Sequence, residues 1–199
     1  MADIIYTYNG RAYANITNKC NCRCSFCIRF QTDGIGNAET LWHETDPTFD
    51  EIKAAIDAYD FTGQDELIYC GYGEPTCALD NLLRSAEYAK KKYGLAVRVN
   101  TNGLGNLENG EDIVPRLKGI VDRCSVSLNA PDCDAYERVS HPKPDGAYEA
   151  MKAFAAECRS AGIDVKFSVV DVIPPEEINA CREIAHAMGI PLRIRHFSS

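Results

Sequence analysis

From residue 49 onward the hydrophobic period of this chain keeps switching, with apolar residues at helical spacing alternating with short β-favouring runs. That alternation predicts a parallel sheet covered by helices. Phe49, Ile52, Ile56 and Tyr59 recur at helical spacing behind Pro47-Thr48, and Leu67 to Cys70 follow as a strand. Leu79, Leu82, Leu83, Ala86 and Tyr93 share a face closed by Gly94, ahead of a strand from Leu95 to Val99. A short helix around Asp112 to Leu117 leads to a strand from Ile120 to Leu128. Tyr148, Met151, Phe154, Ala155 and Cys158 mark another amphipathic helix, ended by Gly162, before a strand from Val165 to Val170. Pro174-Pro175 opens the last helix, carried by Ile178, Cys181, Ile184, Ala185 and Met188, and Leu192 to Arg195 is the final strand.

At the other end, Ile4 to Tyr8 and Ala12 to Ile16 flank Asn9-Gly10, the dipeptide that accepts the positive φ values of a type I′ hairpin turn. With Ala12 to Ile16 counted first, the strands number six, and the units run to about 33 residues, an ordinary βαβ size. A closed eight-unit barrel takes about 250 residues, more than the 199 available. The expected fold is therefore α/β, a partial (βα)6 TIM-like barrel of parallel strands with an N-terminal β-hairpin. Without repeats, low-complexity tracts or a long linker, residues 1–199 are expected to form a single domain.

The balance of 21 basic against 29 acidic side chains leaves a formal charge of −8, with no basic stripe to grip a phosphate backbone, so a nucleic-acid partner is not expected. No apolar run approaches the roughly 20 residues that span a bilayer, and the N-terminus lacks a basic segment followed by a long apolar one. No membrane partner and a cytoplasmic location are expected. The ten cysteines are unevenly spread: Cys20, Cys22, Cys24 and Cys27 crowd together, while Cys70, Cys77, Cys124, Cys133, Cys158 and Cys181 are scattered singly. A dense thiol cluster in a cytosolic chain favours metal binding over cross-linking, and scattered cysteines read as small buried hydrophobes.

Cys20, Cys24 and Cys27 form CxxxCxxC directly after a predicted strand. Three thiolates on one short loop can each reach a different iron of a cubane cluster, whereas complete protein ligation takes four, so one iron would stay open to a small molecule. Two other readings compete. A structural zinc site would use all four cysteines including Cys22, although no second CxxC occurs downstream. An electron-transfer cluster would recruit a fourth ligand from Cys22 or from a remote cysteine.

Ligands of parallel α/β folds sit beyond the carboxyl ends of the strands. Here those ends carry the cysteine loop, Gly71-Tyr72-Gly73-Glu74-Pro75-Thr76, Asn100-Thr101-Asn102-Gly103, Ser127 with Asn129, Ser168 to Val170, and Arg195-His196. In this order the set resembles the radical S-adenosylmethionine (SAM) superfamily: CxxxCxxC with Phe26 before the third cysteine, a glycine-glutamate-proline motif after the second strand, AsnThrAsnGly after the third and SerLeuAsnAla after the fourth. The length and the phrase NITNKCNCRCSFCIR look most like the short radical SAM proteins associated with TatD-family hydrolases.

The resemblance implies that Cys20, Cys24 and Cys27 hold a [4Fe-4S] cluster whose fourth iron is chelated by SAM, with Phe26 against the adenine. It implies that Tyr72, Gly73 and Glu74 accept hydrogen bonds from the SAM amino group, that Thr101 and Ser127 contact its carboxylate, and that Asn129 and Ser168 lie near the ribose. The implied chemistry is reductive cleavage of SAM to a 5′-deoxyadenosyl radical, which abstracts hydrogen from an unidentified small-molecule or peptide substrate. An electron donor such as flavodoxin or ferredoxin is the implied partner. Tyr72 between Gly71 and Gly73 departs from the common pair of adjacent glycines, and Cys22 is an additional thiol. The tail to Ser199 lacks the clustered cysteines of auxiliary iron-sulfur domains.

Candidates for substrate contact are Arg29, Gln31, Trp42, His43, Arg98, His141, Arg193, Arg195 and His196. Arg193 and Arg195 alternate along the last strand and share a face: the barrel interior, favouring an anionic substrate, or an edge whose charges discourage aggregation. The stretch from Gln31 to Asp46 reads as a flexible lid or an ordinary exposed loop. Besides a radical SAM enzyme acting on a small molecule or peptide, the sequence admits an activase installing a glycyl radical on a partner protein, and a zinc-stapled binding module without catalysis.

Overall fold

The computed structural model describes residues 2–197, so Met1, Ser198 and Ser199, the two ends of the expected domain, lie outside the described residues. The hairpin forms as the sequence dictates: β1 (Ile5–Tyr8) pairs antiparallel with β2 (Arg11–Ala14), and Asn9 and Gly10 turn between them at φ 48° and 71°. The parallel strands then add one after another in chain order, β3 (Glu66–Tyr69), β4 (Ala96–Thr101), β5 (Arg123–Ser127), β6 (Asp164–Val170) and β7 (Leu192–Arg195). A seven-stranded sheet in sequential order, with β1 at one edge and β7 at the other, is an open partial barrel.

Helices α1 (Phe49–Ala58), α2 (Leu79–Tyr93), α6 (Ala147–Ser160) and α7 (Pro175–Ala187) pack on the outer face of the sheet. Thr48 and Glu51 start α1 with reciprocal side-chain-to-backbone bonds, and Gly94 ends α2 in the left-handed region at φ 68°. Two helices were not foreseen, α3 (Gly105–Asn109) and α5 (Cys133–Ser140). Both are too short for a helical period to stand out, and α5 announces itself only through Asp132, whose carboxylate caps the Ala135 N–H. The helix expected around Asp112 is the single turn α4 (Val114–Leu117), and the strand expected from Ile120 begins at Arg123, because Ile120 and Val121 still bond back to Leu117.

The register sorts the side chains. Leu67, Val97, Cys124, Val165 and Phe167 point toward the helices and join the main core, while Tyr13, Ile68, Arg98, Arg123 and Asp164 form a paired row on the concave face. At the floor of that face Glu66, 2% exposed, takes Arg123 at 2.7 Å and Arg11 and Arg98 at 3.4 Å. The stretch from Gln31 to Asp46, read as a flexible lid or an ordinary exposed loop, is mostly exposed but anchored as a strap. Leu41 is fully buried with Tyr6 and Tyr72, Asn15 donates to the Leu41 carbonyl, and Asn18 bonds to His43 and Asp46. Among the described residues no helix is long and apolar enough to cross a membrane.

Candidate functional site

The chain leaves β2 through Asn15, Thr17 and Asn18 and turns across the open end of the barrel as the cysteine loop. Backbone bonds fix it to the far side: Arg23 N donates to Ser140 O (3.1 Å), Ser25 N to Val139 O (2.9 Å) and Lys143 N to Asn21 O (2.8 Å), while Cys22 bridges Pro142. The loop thus joins the exit of β2 to the end of α5, which follows β5. Cys20, Cys24 and Cys27 are half-buried and Cys22 is buried. A cleft of about 480 Å³ beside Cys20, lined by Lys19, Asn21, Leu107, Glu108, Lys143 and Pro144, opens this loop to the surface.

Arg29 supplies positive charge. Its guanidinium donates to Tyr72 O (3.1 Å) and Asn18 O (3.4 Å) and lies over Phe30 and Trp42. Burial and the Glu74 carboxylate push the Cys20 thiol up to about 12, with Arg29 pulling the other way. Burial also raises Cys27, opposed by the Arg29 backbone and charge. Cys24 runs the other way: a hydrogen bond from Cys22 holds it below the ordinary thiol range against the cost of burial, with Ser140 and Arg29 adding to the effect, and Cys22 is raised as the donor. Thiolate is thus favoured at Cys24 by its neighbours, and positive charge nearby favours it at all three positions.

On β3's exit the two glycines answer to close packing. A Cβ on Gly71 would meet Asn15 Oδ1 at 2.1 Å, and one on Gly73 would meet Thr17 O at 2.2 Å. Tyr72 between them turns its ring into the strap, edge-on to Trp42 at 5.1 Å, with its hydroxyl bonded to Thr32 O and its own carbonyl taken by Arg29. Its N–H donates to Asn15 Oδ1 at 3.1 Å, so both of its backbone polar groups are engaged within the protein.

Glu74 is 4% exposed and caps the turn Pro75–Ala78. Its Oε1 accepts from Thr76 N (3.1 Å), Thr76 Oγ1 (2.8 Å) and Thr101 Oγ1 (2.7 Å), whereas among the described residues Oε2 accepts only from Asn102 N (2.7 Å). Burial pushes the Glu74 carboxyl above the usual carboxylate range, with the Asn102, Thr101 and Thr76 bonds opposing. One acceptor position on Oε2 stays free for a donor from outside. Thr101, expected to touch the SAM carboxylate, has its proton committed to Glu74 and accepts from Gly103 N at 3.0 Å, so it positions Glu74.

Asn102 was not singled out as a site residue, yet it ties the motifs together. Its backbone serves Glu74, and its side-chain amide donates to Asn21 Oδ1 (2.6 Å) and Cys22 Sγ (3.4 Å) and lies 4.0 Å from Cys20 Sγ. Its place in AsnThrAsnGly was the available signal. Asn15, bonded to Leu41, His43 and Tyr72, was likewise missed.

Ser127 and Ser168 are register partners on the concave face. Asn129, next along, adopts φ 60°, donates to Ser140 Oγ at 3.1 Å and leaves its buried Oδ1 without a partner. A buried acceptor left unpaired costs about 1–3 kcal/mol, which a ligand hydroxyl recovers. Phe26 is half-buried against the main core. Of the candidate substrate contacts, His43 is held at Asn15 and Asn18, His141 is the left-handed cap of α5, Trp42 and Arg29 belong to the strap cluster, and His196 pairs with Asp171 at 2.7 Å. Gln31 is exposed.

Among the described residues no three Cys, His, Asp or Glu side chains converge on one ion position. Three thiols on one loop, with the Glu74 carboxylate tied to Cys20 through Asn102, are a donor set of the kind that holds an iron-sulfur cluster beside an amine-bearing ligand.

The profile of the Radical SAM superfamily matches residues 14–188. An AdoMet-dependent heme synthase of Oleidesulfovibrio alaskensis is 26% identical over 153 residues, covering 77% of this chain and 36% of that protein. Among solved structures, methylornithine synthase (PylB) superposes with a TM-score of 0.65 at 12% identity, over 94% of this chain and 52% of the other. Native anSMEcpe with bound AdoMet gives a TM-score of 0.63 at 12% identity, over 94% and 51%. The two structures share the fold, and the chain spans about a third to a half of the length of these relatives.

Proposed function

The chain belongs to the radical SAM superfamily, and from that premise we propose that Cys20, Cys24 and Cys27 would hold a [4Fe-4S] cluster with one iron open to SAM. When bound, this pair supplies reductive homolysis of the SAM S–C5′ bond, giving methionine and a 5′-deoxyadenosyl radical for hydrogen abstraction from a small-molecule or peptide substrate. The protein's own residues bind and orient. Glu74 Oε2 receives the SAM ammonium, held in aim by Thr76, Thr101 and Asn102. Gly73 keeps the rim backbone close, and Tyr72 seals it against the strap. Asn129 Oδ1 takes a ribose hydroxyl, with Ser127 and Ser168 beside it and Phe26 against the adenine.

The observation that carries this reading is Asn102, whose backbone bonds the Glu74 carboxylate while its side chain lies against Cys20 and Cys22. An acceptor for a cationic amine is thereby next to the cysteine loop. The cleft at Cys20 gives an external reductant, such as flavodoxin or ferredoxin, access to the loop. Residues 1–199 act as one radical SAM core domain, and the phrase from Asn15 to Arg29 supports a finer assignment to the short TatD-associated radical SAM proteins.

The test is metal analysis and turnover of anaerobically purified protein. Iron and sulfide at about four per chain, absorbance near about 400 nm, and 5′-deoxyadenosine formed from SAM with dithionite are expected. Zinc in place of iron, with no SAM cleavage, overturns the reading.

A further inference from the structure

Six cations sit on the concave face of the sheet, at two levels, with Arg11 of β2 among those at the floor. The pairing register aligns Arg98 with Arg123 near the floor, Lys166 beside Ser125, Arg193 beside Ser168 and Arg195 beside Val170. The floor cations are all ion-paired, since Glu66 takes Arg11, Arg98 and Arg123, and Arg123 also approaches Asp164. The upper level is not. Lys166, Arg193 and Arg195 are exposed and have no ion-pair partner among the described residues. The nearby acid Asp171 is taken by His196 and by the Phe197 N–H.

These arginines face inward across the barrel mouth. Leu192 and Ile194 alternate with them along β7, on the side from which α7 packs. Burial and Cys70 push the Tyr13 phenol up, and Arg98 and Arg193 oppose that shift from across the sheet. Burial raises the Cys70 thiol, opposed by its Asn100 bond and then by Arg195. The β7 charges are thus felt on β2 and β3.

We propose that Arg193 and Arg195 form the substrate subsite of this barrel and take a carboxylate or phosphate group of the substrate, with Lys166 contributing beneath them. The two guanidinium stems leave one strand face about 6.6 Å apart, a span suited to bidentate capture of an oxyanion. Ser168, assigned to the SAM ribose, is the direct register partner of Arg193, so an anion held there lies beside the SAM site. This subsite rests on the radical SAM reading. Edge protection requires charge of either sign on β7, whereas an anion subsite requires positive charge.

Arginine-selective labelling with phenylglyoxal, followed by peptide mass spectrometry, tests it on the full chain with cluster and SAM bound. Succinate and inorganic phosphate are the probes, and exposed Arg182 on α7 is the internal reference. Either probe at ten times its dissociation constant is expected to slow labelling of Arg193 and Arg195 about tenfold and to leave Arg182 unchanged. Protection by succinate alone identifies a carboxylate, and protection by phosphate alone a phosphate. Equal labelling with and without both probes overturns the subsite. In calorimetric titration the double variant Arg193→Glu/Arg195→Glu, which keeps the strand edge charged, is expected to lose binding of the protecting anion, and retained binding overturns the proposal. Labelling is read on the protein whether or not SAM is cleaved, so failure of the radical SAM reading shows separately in the cleavage assay.

Discussion

Asn102 donates its backbone N–H to Glu74 Oε2 at 2.7 Å while Glu74 Oε1 is filled by Thr76 and Thr101. The carboxylate is therefore fixed in orientation by donors on both oxygens. Glu74→Gln sets an amide N–H against a fixed backbone N–H, of Asn102 or of Thr76, whichever way it turns. A loss of about 1–3 kcal/mol in folding stability is expected. SAM affinity is expected to fall about tenfold or more as the charge facing its amine disappears. Denaturant unfolding and equilibrium dialysis of SAM read the two effects, and unchanged SAM affinity would remove Glu74 from the amine site.

The proposed function separates three ligands, Cys20, Cys24 and Cys27, from one bystander, Cys22. Cys24→Ala is expected to abolish iron retention and SAM cleavage together. Cys22→Ala, which removes a buried thiol touching Asn102, is expected to cost about 1 kcal/mol of stability and to keep iron at about four per chain. Iron analysis after anaerobic reconstitution decides. Loss of iron in the Cys22 variant would mean a fully protein-ligated cluster with no iron open to SAM.

Much of this was legible because burial leaves a strong mark on sequence. Leu67 to Tyr69 of β3 are buried, and β6 is buried from Phe167 to Val170, so both read as largely apolar runs, whereas the buried but charged Glu66 at the start of β3 does not. The cysteines and Glu74 stand in contiguous motifs that a linear reading finds. Asn15 and Asn102 also lie in quoted motifs, but asparagine is an ordinary loop residue and their roles arise only when register brings the β2, β3 and β4 exits together. The same holds for Arg193 and Arg195: alternation shows that they share a face, and only the pairing with Ser168 and Val170 says which.

Asp57 makes the outer layer acid-sensitive. Its carboxylate accepts from Lys92 (2.7 Å), Tyr88 (2.6 Å), Tyr93 (2.9 Å) and Lys53 (3.3 Å), joining α1 to α2. The Lys92 and Tyr88 bonds hold its carboxyl well below the usual range. A folded-state value below the unfolded one contributes stability that is fully present above the ordinary carboxyl value of about 3.9 and is lost as pH falls from there through the lower folded-state value. Urea midpoints are expected to drop on acidification more steeply in the native protein than in Asp57→Asn, with the variant weaker at neutral pH. Parallel acid profiles would exclude this network as a source of the sensitivity.

Asn129 separates backbone from side-chain requirements. At φ 60° it occupies a conformation that glycine adopts freely and alanine adopts at a cost of roughly 1–2 kcal/mol. Its Nδ2 bonds Ser140, and its Oδ1 is buried without a partner. Asn129→Gly keeps the turn and removes the unpaired acceptor, so the unliganded protein is expected to change by less than about 1 kcal/mol. Asn129→Ala is expected to lose more, through strain. Both should bind SAM about tenfold more weakly, since a ribose hydroxyl loses its acceptor. The pairing of near-native unfolding with weakened SAM binding in the glycine variant distinguishes a ligand contact from a structural one, and native-like SAM affinity in that variant would assign Asn129 to the turn alone.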